Sequence, residues 1–181
     1  MITLLLGAYA ALFEHDLKGL LAYSTISQLG LITLLFGFGS QLAAVAAVFH
    51  IINHATFKAS LFMAAGIIDH EAGTRDIRVL NGLWKYMPYT ATLAIVAASA
   101  MAGVPLLNGF LSKEMFFAEA LIVRGNGGWL SLIPVGAAIA GAFSVAYSAR
   151  FVHDVFFAGP GTGLPRTPHE PPRWMRIPVE V

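Results

Sequence analysis

The chain has 181 residues, of which 57% are hydrophobic and 12% are charged, with a formal net charge of +1. A soluble domain is usually about half apolar and about a quarter charged, so this composition indicates lipid as the surrounding solvent. The small net charge argues against nucleic acid as a partner, and the absence of cysteine excludes disulfides and thiolate metal sites.

Several apolar stretches are long enough to cross a bilayer, which takes roughly 20 mostly apolar residues. The first stretch is shorter, about 20 Å at 1.5 Å per residue, and predicts the end of a membrane helix whose beginning is missing. We therefore expect the chain to be a fragment. The predicted segments are the truncated helix at 1–13, transmembrane helices at about 20–39, 42–68, 89–122 and 129–157, and a proline-rich linker at 158–181.

Lysines and arginines are distributed unequally between the two sides of the predicted bundle. One side receives residues 14–18, the loop 69–85 and the tail, and the other side carries only Arg124. The positive-inside rule makes the basic side, and with it the linker, cytoplasmic. The basic residues on that side are Lys18, Arg75, Arg78, Lys85, Arg166, Arg173 and Arg176.

The second long stretch carries ionisable residues on one helical face. His50, His54 and Lys58 recur at every fourth position, within about 80° of one face, and Asn53 borders that face. A lysine in the middle of a membrane helix costs about 2.5–3.5 kcal/mol on insertion scales, and histidine titrates near neutral pH. Such a column, with steps of about 6 Å, is suited to a water-bridged proton relay, while a polar face that packs neighbouring helices is the alternative.

A metal site is the other alternative for the two histidines. The spacing of His50 and His54 places both imidazoles on one face, but the zinc-protease pattern requires a glutamate where Ile51 stands. Asp69 and Glu71, with the histidine between them, lie at a predicted helix end, where solvated charges are common. We therefore predict no metal. Since the sequence also lacks a nucleophile elbow, a phosphate-binding loop and haem or flavin signatures, we predict no cofactor and no covalent catalysis.

Residues 103–109 interrupt the third long stretch with glycines and a proline, which remove a backbone donor and loosen a helix. Broken membrane helices often lie where ions pass. Lys113 follows this break, and Glu114 is a possible partner for it. A simple turn that leaves Lys113 at the interface is the alternative, but the following segment is short for a complete span, which favours one broken helix.

Polar residues at the start of the second segment have two interpretations each. Lys18 follows Asp16, and a helix-capping acid with a snorkelling lysine explains this pair as well as a functional role does. Ser24 and Gln28 could hold a water chain, but packing between helices is the better explanation.

Three of these stretches resemble a known family. Residues 16–30 (DLKGLLAYSTISQLG), 50–66 (HIINHATFKASLFMAAG) and 101–115 (MAGVPLLNGFLSKEM) are similar to the antiporter-like subunits of respiratory complex I and of Mrp-type cation/proton antiporters. Two further stretches, 66–78 (GIIDHEAGTRDIR) and 168–178 (PHEPPRWMRIP), resemble specifically the large A subunit of Mrp antiporters.

The resemblance implies an all-α integral membrane fold, in which this chain holds most of the second of two inverted five-helix repeats, with one discontinuous helix. It also implies that Lys18, His50, His54 and Lys58 follow the central polar axis, and that Lys113 in the broken helix belongs to the proton path. Protons and Na⁺ or other monovalent cations, membrane lipid and further antiporter subunits are the implied partners, in a bacterial or archaeal cell membrane.

We therefore predict a multi-pass subunit of a monovalent cation/proton antiporter, a transporter component and not an enzyme. Two alternatives remain open. One is a proton-pumping membrane subunit of an NADH–quinone oxidoreductase or a related redox complex. The other is a scaffold that transports nothing and whose polar residues only hold helices together.

Overall fold

The computed structural model of the chain describes residues 1–124, 128–159 and 163–172. Throughout these ranges the regular structure is helical, as the sequence predicts, and the one extended pairing is an isolated bridge between Asp16 and Asp76. The helices are α1 (Ile2–Phe13), α2 (Leu17–Gly37), α3 (Gln41–Ala72), α4 (Pro88–Ala102), α5 (Asn108–Arg124) and α6 (Ile133–Val152), with shorter turns at Leu83–Lys85, Gly128–Leu132 and His153–Phe157.

Three helical stretches in the described part are long and apolar enough to cross a membrane, namely Leu17–Gly37, Gln41–Ala72 and Leu130–Phe157. Helices α1 and α4 are shorter and also apolar. Large apolar side chains cover the outside of the bundle, as is expected where lipid is the solvent. Examples with more than half of their surface exposed are Ile2, Leu42, Ile52, Leu121 and Val135.

Helix α2 begins three residues before the predicted start, because Asp16 caps it. The carboxylate of Asp16 accepts a hydrogen bond of 2.8 Å from the backbone N–H of Gly19, which satisfies one of the free donors at the helix start. Lys18 therefore lies inside the first turn of α2 and not in the preceding loop.

Helix α3 continues four residues beyond its predicted end at position 68. It ends where Gly73 takes a left-handed conformation with φ 73° and donates its N–H to the carbonyl oxygen of Asp69 at 3.0 Å. The predicted stretch 89–122 consists of two helices, α4 and α5, which residues 103–107 separate.

The basic loops lie together at one end of the bundle. Lys18 forms an ion pair with Asp69 at 2.7 Å, and Arg75 contacts the carboxylate of Asp16 at 3.1 Å. At the same end, hydrogen bonds from the side chain and the backbone N–H of Arg78 lower the pKa of the Asp76 carboxyl to about 2, so this carboxylate stays charged at neutral pH.

Part of the predicted linker lies against the bundle. A carboxylate oxygen of Glu170 accepts hydrogen bonds from the backbone N–H and the hydroxyl of Thr90, at 2.9 and 2.7 Å, in the first turn of α4. Leu164 packs against the apolar core. Residues 125–127, 160–162 and 173–181 lie outside the described residues, and with them Arg173 and Arg176, which contributed to the predicted orientation.

Two apolar clusters occupy opposite halves of the bundle. The first contains the beginning of α2 and the ends of α3 and α6, and the second contains the end of α2 and the beginnings of α3 and α6. Because α2 runs antiparallel to α3, the residues between these stretches lie at one level in the middle of the bundle. Most of the buried polar side chains are found at that level.

Candidate functional site

A layer of buried polar side chains separates the two apolar clusters. It receives residues from four helices, at positions between the two clusters or at the inner edge of one of them, and Tyr147 is also a member of the first cluster. We call this set the polar layer, and its members are Ser24, Ser27 and Gln28 of α2, His50, Asn53, His54 and Lys58 of α3, Ser112 and Lys113 of α5, and Ser144, Tyr147 and Ser148 of α6.

Lys113 donates to three oxygens in the polar layer. Its Nζ lies 2.6 Å from the carbonyl oxygen of Met101, 3.1 Å from that of Ala102 and 2.7 Å from Oγ of Ser144. The two carbonyls belong to the last turn of α4, whose final carbonyl groups have no partner within the helix. The ammonium of Lys113, which is 8% exposed, therefore joins the end of α4 to α6.

A chain of direct hydrogen bonds connects Lys113 with His50. From Ser144 it continues to the hydroxyl of Tyr147 at 3.1 Å, from there to the amide nitrogen of Gln28 at 3.0 Å, and from the amide oxygen of Gln28 to Nε2 of His50 at 2.9 Å. The chain includes partners that are 22 and 119 positions apart in sequence. His50 is fully buried, and its Nδ1 lies 2.9 Å from Oγ of Ser112.

Lys58 lies at the other side of the histidine pair. Its ammonium donates to the carbonyl oxygen of Leu21 at 2.9 Å and to the hydroxyl of Ser24, so that helix α2 satisfies a cation that is 5% exposed. Nζ of Lys58 also lies 6.0 Å from the ring centroid of Phe62.

His54 separates Lys58 from His50. The ring centroids of the two histidines are 6.3 Å apart, which is beyond direct hydrogen bonding. Within the described part of the chain, Nε2 of His54 is buried and has no hydrogen-bond partner. The remaining ring contact of His54 is with Phe57, roughly perpendicular to it and 5.5 Å away between centroids.

Residues around the break bring α5 against α3 and α4. Asn53 donates to the carbonyl oxygen of Asn108, the first residue of α5, at 3.1 Å. Gly109 packs directly on α4, since a Cβ atom added there would lie 1.9 Å from the carbonyl oxygen of Ala100. The polar layer is therefore built around the place where α4 ends and α5 begins.

Three predicted site residues lie outside this layer. Lys18 pairs with Asp69 at the end of the bundle and is 37% exposed, so it does not line the buried axis beside Lys58. Asp16 caps α2 and contacts Arg75. Glu114 is exposed, because it lies about 100° around the helix from Lys113, and the Lys113 ammonium contacts oxygens of α4 and α6 instead.

Sequence reasoning missed two members of the hydrogen-bonded chain. Tyr147 and Ser144 belong to an apolar helix in which nothing marks them, apart from a spacing of three that places both on one face. Packing is the sequence-based interpretation of Gln28, although it is the residue that joins His50 to Tyr147. Across residues 1–124, 128–159 and 163–172, no group of three metal-ligating side chains is assembled, and the layer offers lysine and histidine nitrogens with hydroxyls.

Sequence comparison relates this chain to transport proteins. Residues 1–140 match a family described as NADH:quinone oxidoreductase/Mrp antiporter, TM. The A/B subunit of a probable K(+)/H(+) antiporter of Rhizobium meliloti (strain 1021) is 70% identical over 99% of this chain, which covers 18% of that relative. The A subunit of the Na(+)/H(+) antiporter of Bacillus subtilis (strain 168) is 43% identical over the whole chain, which covers 25% of its length.

Two solved structures contain the same fold. A chain of the Mrp complex from Dietzia sp. DQ12-45-1b superposes with a TM-score of 0.83 at 40% identity, over 99% of this chain and 19% of that one. A chain of respiratory complex I from Thermus thermophilus with bound NADH superposes with a TM-score of 0.84 at 25% identity, over 99% of this chain and 37% of that one.

Proposed function

Because this chain belongs to the NADH:quinone oxidoreductase/Mrp antiporter family, as an Mrp-type antiporter subunit in a bacterial membrane, we propose that its polar layer is a proton half-channel of a monovalent cation/proton antiporter. The observation that carries the proposal is the burial of four ionisable side chains, His50, His54, Lys58 and Lys113, in one polar layer to which four helices contribute. Ionisable groups inside a membrane protein are costly and are usually retained for transport.

The proposed route follows the polar layer from Lys58 through His54 and His50 to Lys113. His54 has a buried nitrogen that can accept a proton, and it lies one turn along α3 from His50, with 6.3 Å between the ring centroids. A proton on one lysine changes the free energy of protonating the next group, since Coulomb interactions are strong where water is scarce. This coupling would pass protons from one ionisable side chain of the route to the next.

Helices α4 and α5 together form the discontinuous helix in this proposal, within the second of two inverted five-helix repeats. The support is local: residues 103–107 separate two helices that are each short for a complete span, and Lys113 binds the carbonyl oxygens that the interruption leaves free. Irregular backbone at membrane depth is tolerated where protein groups satisfy it, as the Lys113 ammonium does here.

The proposed partners are protons, Na⁺ or another monovalent cation, membrane lipid, and the other subunits of the antiporter complex. Lys18 and Asp16 would then hold the cytoplasmic entrance together, since their ion pairs join α2 to the end of α3 and to the following loop. Asn53 and Ser24 would support the route by binding the start of α5 and the Lys58 ammonium.

Antiport is tested in inverted vesicles that contain the complete parent complex, after a pH gradient has been imposed without respiratory substrates. We expect Na⁺, K⁺ or Li⁺ to collapse the gradient. No response to any cation, together with acidification driven by NADH or another electron donor, would contradict antiport and favour a redox-driven pump. The similar superpositions on an Mrp complex and on complex I give this alternative its specific support.

Replacing Lys58 with methionine separates transport from the scaffold alternative. The substitution keeps the length of the side chain and removes its charge, so packing is largely retained. We expect a loss of cation-driven proton flux of about 100-fold or more, as is typical when a proton-transfer group is removed. Full flux in an assembled Lys58→Met complex would mean that this lysine only holds α2 against α3.

A further inference from the structure

The two ring nitrogens of His50 contact chemically different partners. Nε2 lies 2.9 Å from the amide oxygen of Gln28 on α2, and Nδ1 lies 2.9 Å from the hydroxyl oxygen of Ser112 on α5. An amide oxygen only accepts hydrogen bonds, whereas a hydroxyl can donate or accept. Which nitrogen carries a hydrogen is therefore decided by the orientation of the Gln28 amide.

In the structure, Tyr147 faces the nitrogen end of that amide. The amide nitrogen of Gln28 donates to the hydroxyl oxygen of Tyr147 at 3.0 Å, and the hydroxyl of Tyr147 in turn donates to Oγ of Ser144 at 3.1 Å. A reversed amide would present its oxygen to Tyr147 and draw the Tyr147 hydrogen away from Ser144. With the amide held, Nε2 of His50 faces an acceptor and must carry a hydrogen, because a buried pair of acceptors is costly.

We propose that Gln28 keeps a hydrogen on Nε2 of His50, so that His50 gains and loses its transported proton at Nδ1, through the hydroxyl of Ser112. This inference rests on the proposed function as far as transport is concerned. Gln28 is then a positioning residue, and Ser112 is the hydroxyl through which the proton passes.

The transfer is balanced with one hydronium ion as the proton donor. A proton from a hydronium ion bonds to Oγ of Ser112 while the hydroxyl hydrogen of Ser112 moves to Nδ1, which leaves water, neutral serine and the imidazolium form of His50. Ser112 has a second acceptor within reach, the carbonyl oxygen of Gly109 at 3.2 Å, to which its new O–H can donate while it accepts from Nδ1. Protonation of His50 therefore changes the hydrogen bond that the hydroxyl of Ser112 donates, in the first turn of α5.

The charged and titratable groups around His50 come from three helices. His54 and Lys58 lie on the same helix, Lys113 lies on α5, and Tyr147 lies on α6 behind the Gln28 amide. Helix α4 has no lysine, arginine, histidine or carboxylate in its sequence. Since no carboxylate among the described residues contacts His50, its proton is exchanged with neighbours that are neutral or positive.

The hydrogen position is measured by solid-state NMR on the complete complex with ¹⁵N- and ¹³C-labelled histidine, with His50→Asn used to identify the signal. We expect neutral His50 to carry its hydrogen on Nε2. Gln28→Leu should add a population with the hydrogen on Nδ1, whereas Thr25→Val, whose hydroxyl bonds only the carbonyl of Leu21 in its own helix, should not. A wild-type signal with the hydrogen on Nδ1, or no change in Gln28→Leu, would overturn the inference.

The route through Nδ1 is measured by proton flux in vesicles. Ser112→Ala should lower the rate about tenfold, as expected for the loss of one buried hydrogen bond in the transfer step, and Ser112→Thr should retain most of it. Thr56→Val is the matched control, because this hydroxyl lies outside the polar layer and donates to the carbonyl oxygen of Ile52 in its own helix. Wild-type flux in an assembled Ser112→Ala complex would overturn the route.

The half-channel and the role of Gln28 can fail separately. If Lys113→Ala leaves the flux intact and His50 carries its hydrogen on Nε2, the proposed half-channel is wrong and the effect of Gln28 on His50 stands. If Lys113→Ala abolishes flux and His50 carries its hydrogen on Nδ1, the half-channel stands and this inference is wrong.

Discussion

Replacing Lys113 with alanine is expected to lower cation-driven proton flux of the complete antiporter by at least about 100-fold. The substitution removes the only ionisable group that α5 contributes to the polar layer. It also removes the ammonium donor from the carbonyl oxygens of Met101 and Ala102, of which Met101 keeps the hydroxyl of Ser144 as a donor. The measurement is the rate at which Na⁺ collapses an imposed pH gradient in inverted vesicles, with the amount of assembled complex determined in the same membranes.

The matched control is Lys85→Ala, which removes an exposed lysine in the loop before α4 and should leave the rate unchanged. Lys113→Arg is a useful second variant, because it keeps the charge and the contacts to α4 but holds its proton much more firmly than lysine does. Low flux in Lys113→Arg would indicate that proton release, and not the positive charge alone, is required. Normal flux in an assembled Lys113→Ala complex would place the proton route elsewhere.

Replacing Gly109 with alanine is expected to destabilise the junction of α4 and α5. The new Cβ would lie 1.9 Å from the carbonyl oxygen and 2.8 Å from the carbonyl carbon of Ala100, and backbone atoms cannot move away as a flexible side chain can. Forced separation of packed elements costs about 1–3 kcal/mol. We expect a lower apparent unfolding temperature of the purified complex, and reduced flux because Lys113 moves with α5.

Gly66→Ala is the control for the glycine substitution. Gly66 lies within α3, and a Cβ atom there would meet nothing within 4 Å. Alanine in a helix interior is favoured over glycine by about 0.5–1 kcal/mol, so the unfolding temperature should stay the same or rise. An unchanged unfolding temperature for Gly109→Ala would show that α4 and α5 can move apart without loss of stability, which would contradict their close packing at Gly109.

Sequence alone identified a helical membrane protein of the antiporter family. Composition indicated lipid as the surrounding solvent, and the motifs at 16–30, 50–66 and 101–115 indicated the family that the comparisons confirm. The four-residue spacing of His50, His54 and Lys58 predicted that they share a face, because helical periodicity depends only on neighbouring positions. Their role in proton transfer remains a prediction.

Tertiary structure decided which of these residues meet, and through what. Gln28 and Tyr147 are 119 positions apart, and no local pattern predicts a hydrogen bond between them. The structure also separates residues that sequence had grouped: Lys18 turns to Asp69 at the bundle end, and Glu114 turns away from Lys113. Periodicity defines the face of one helix, but the partner of a buried polar group is fixed only when several helices pack and every donor must find an acceptor.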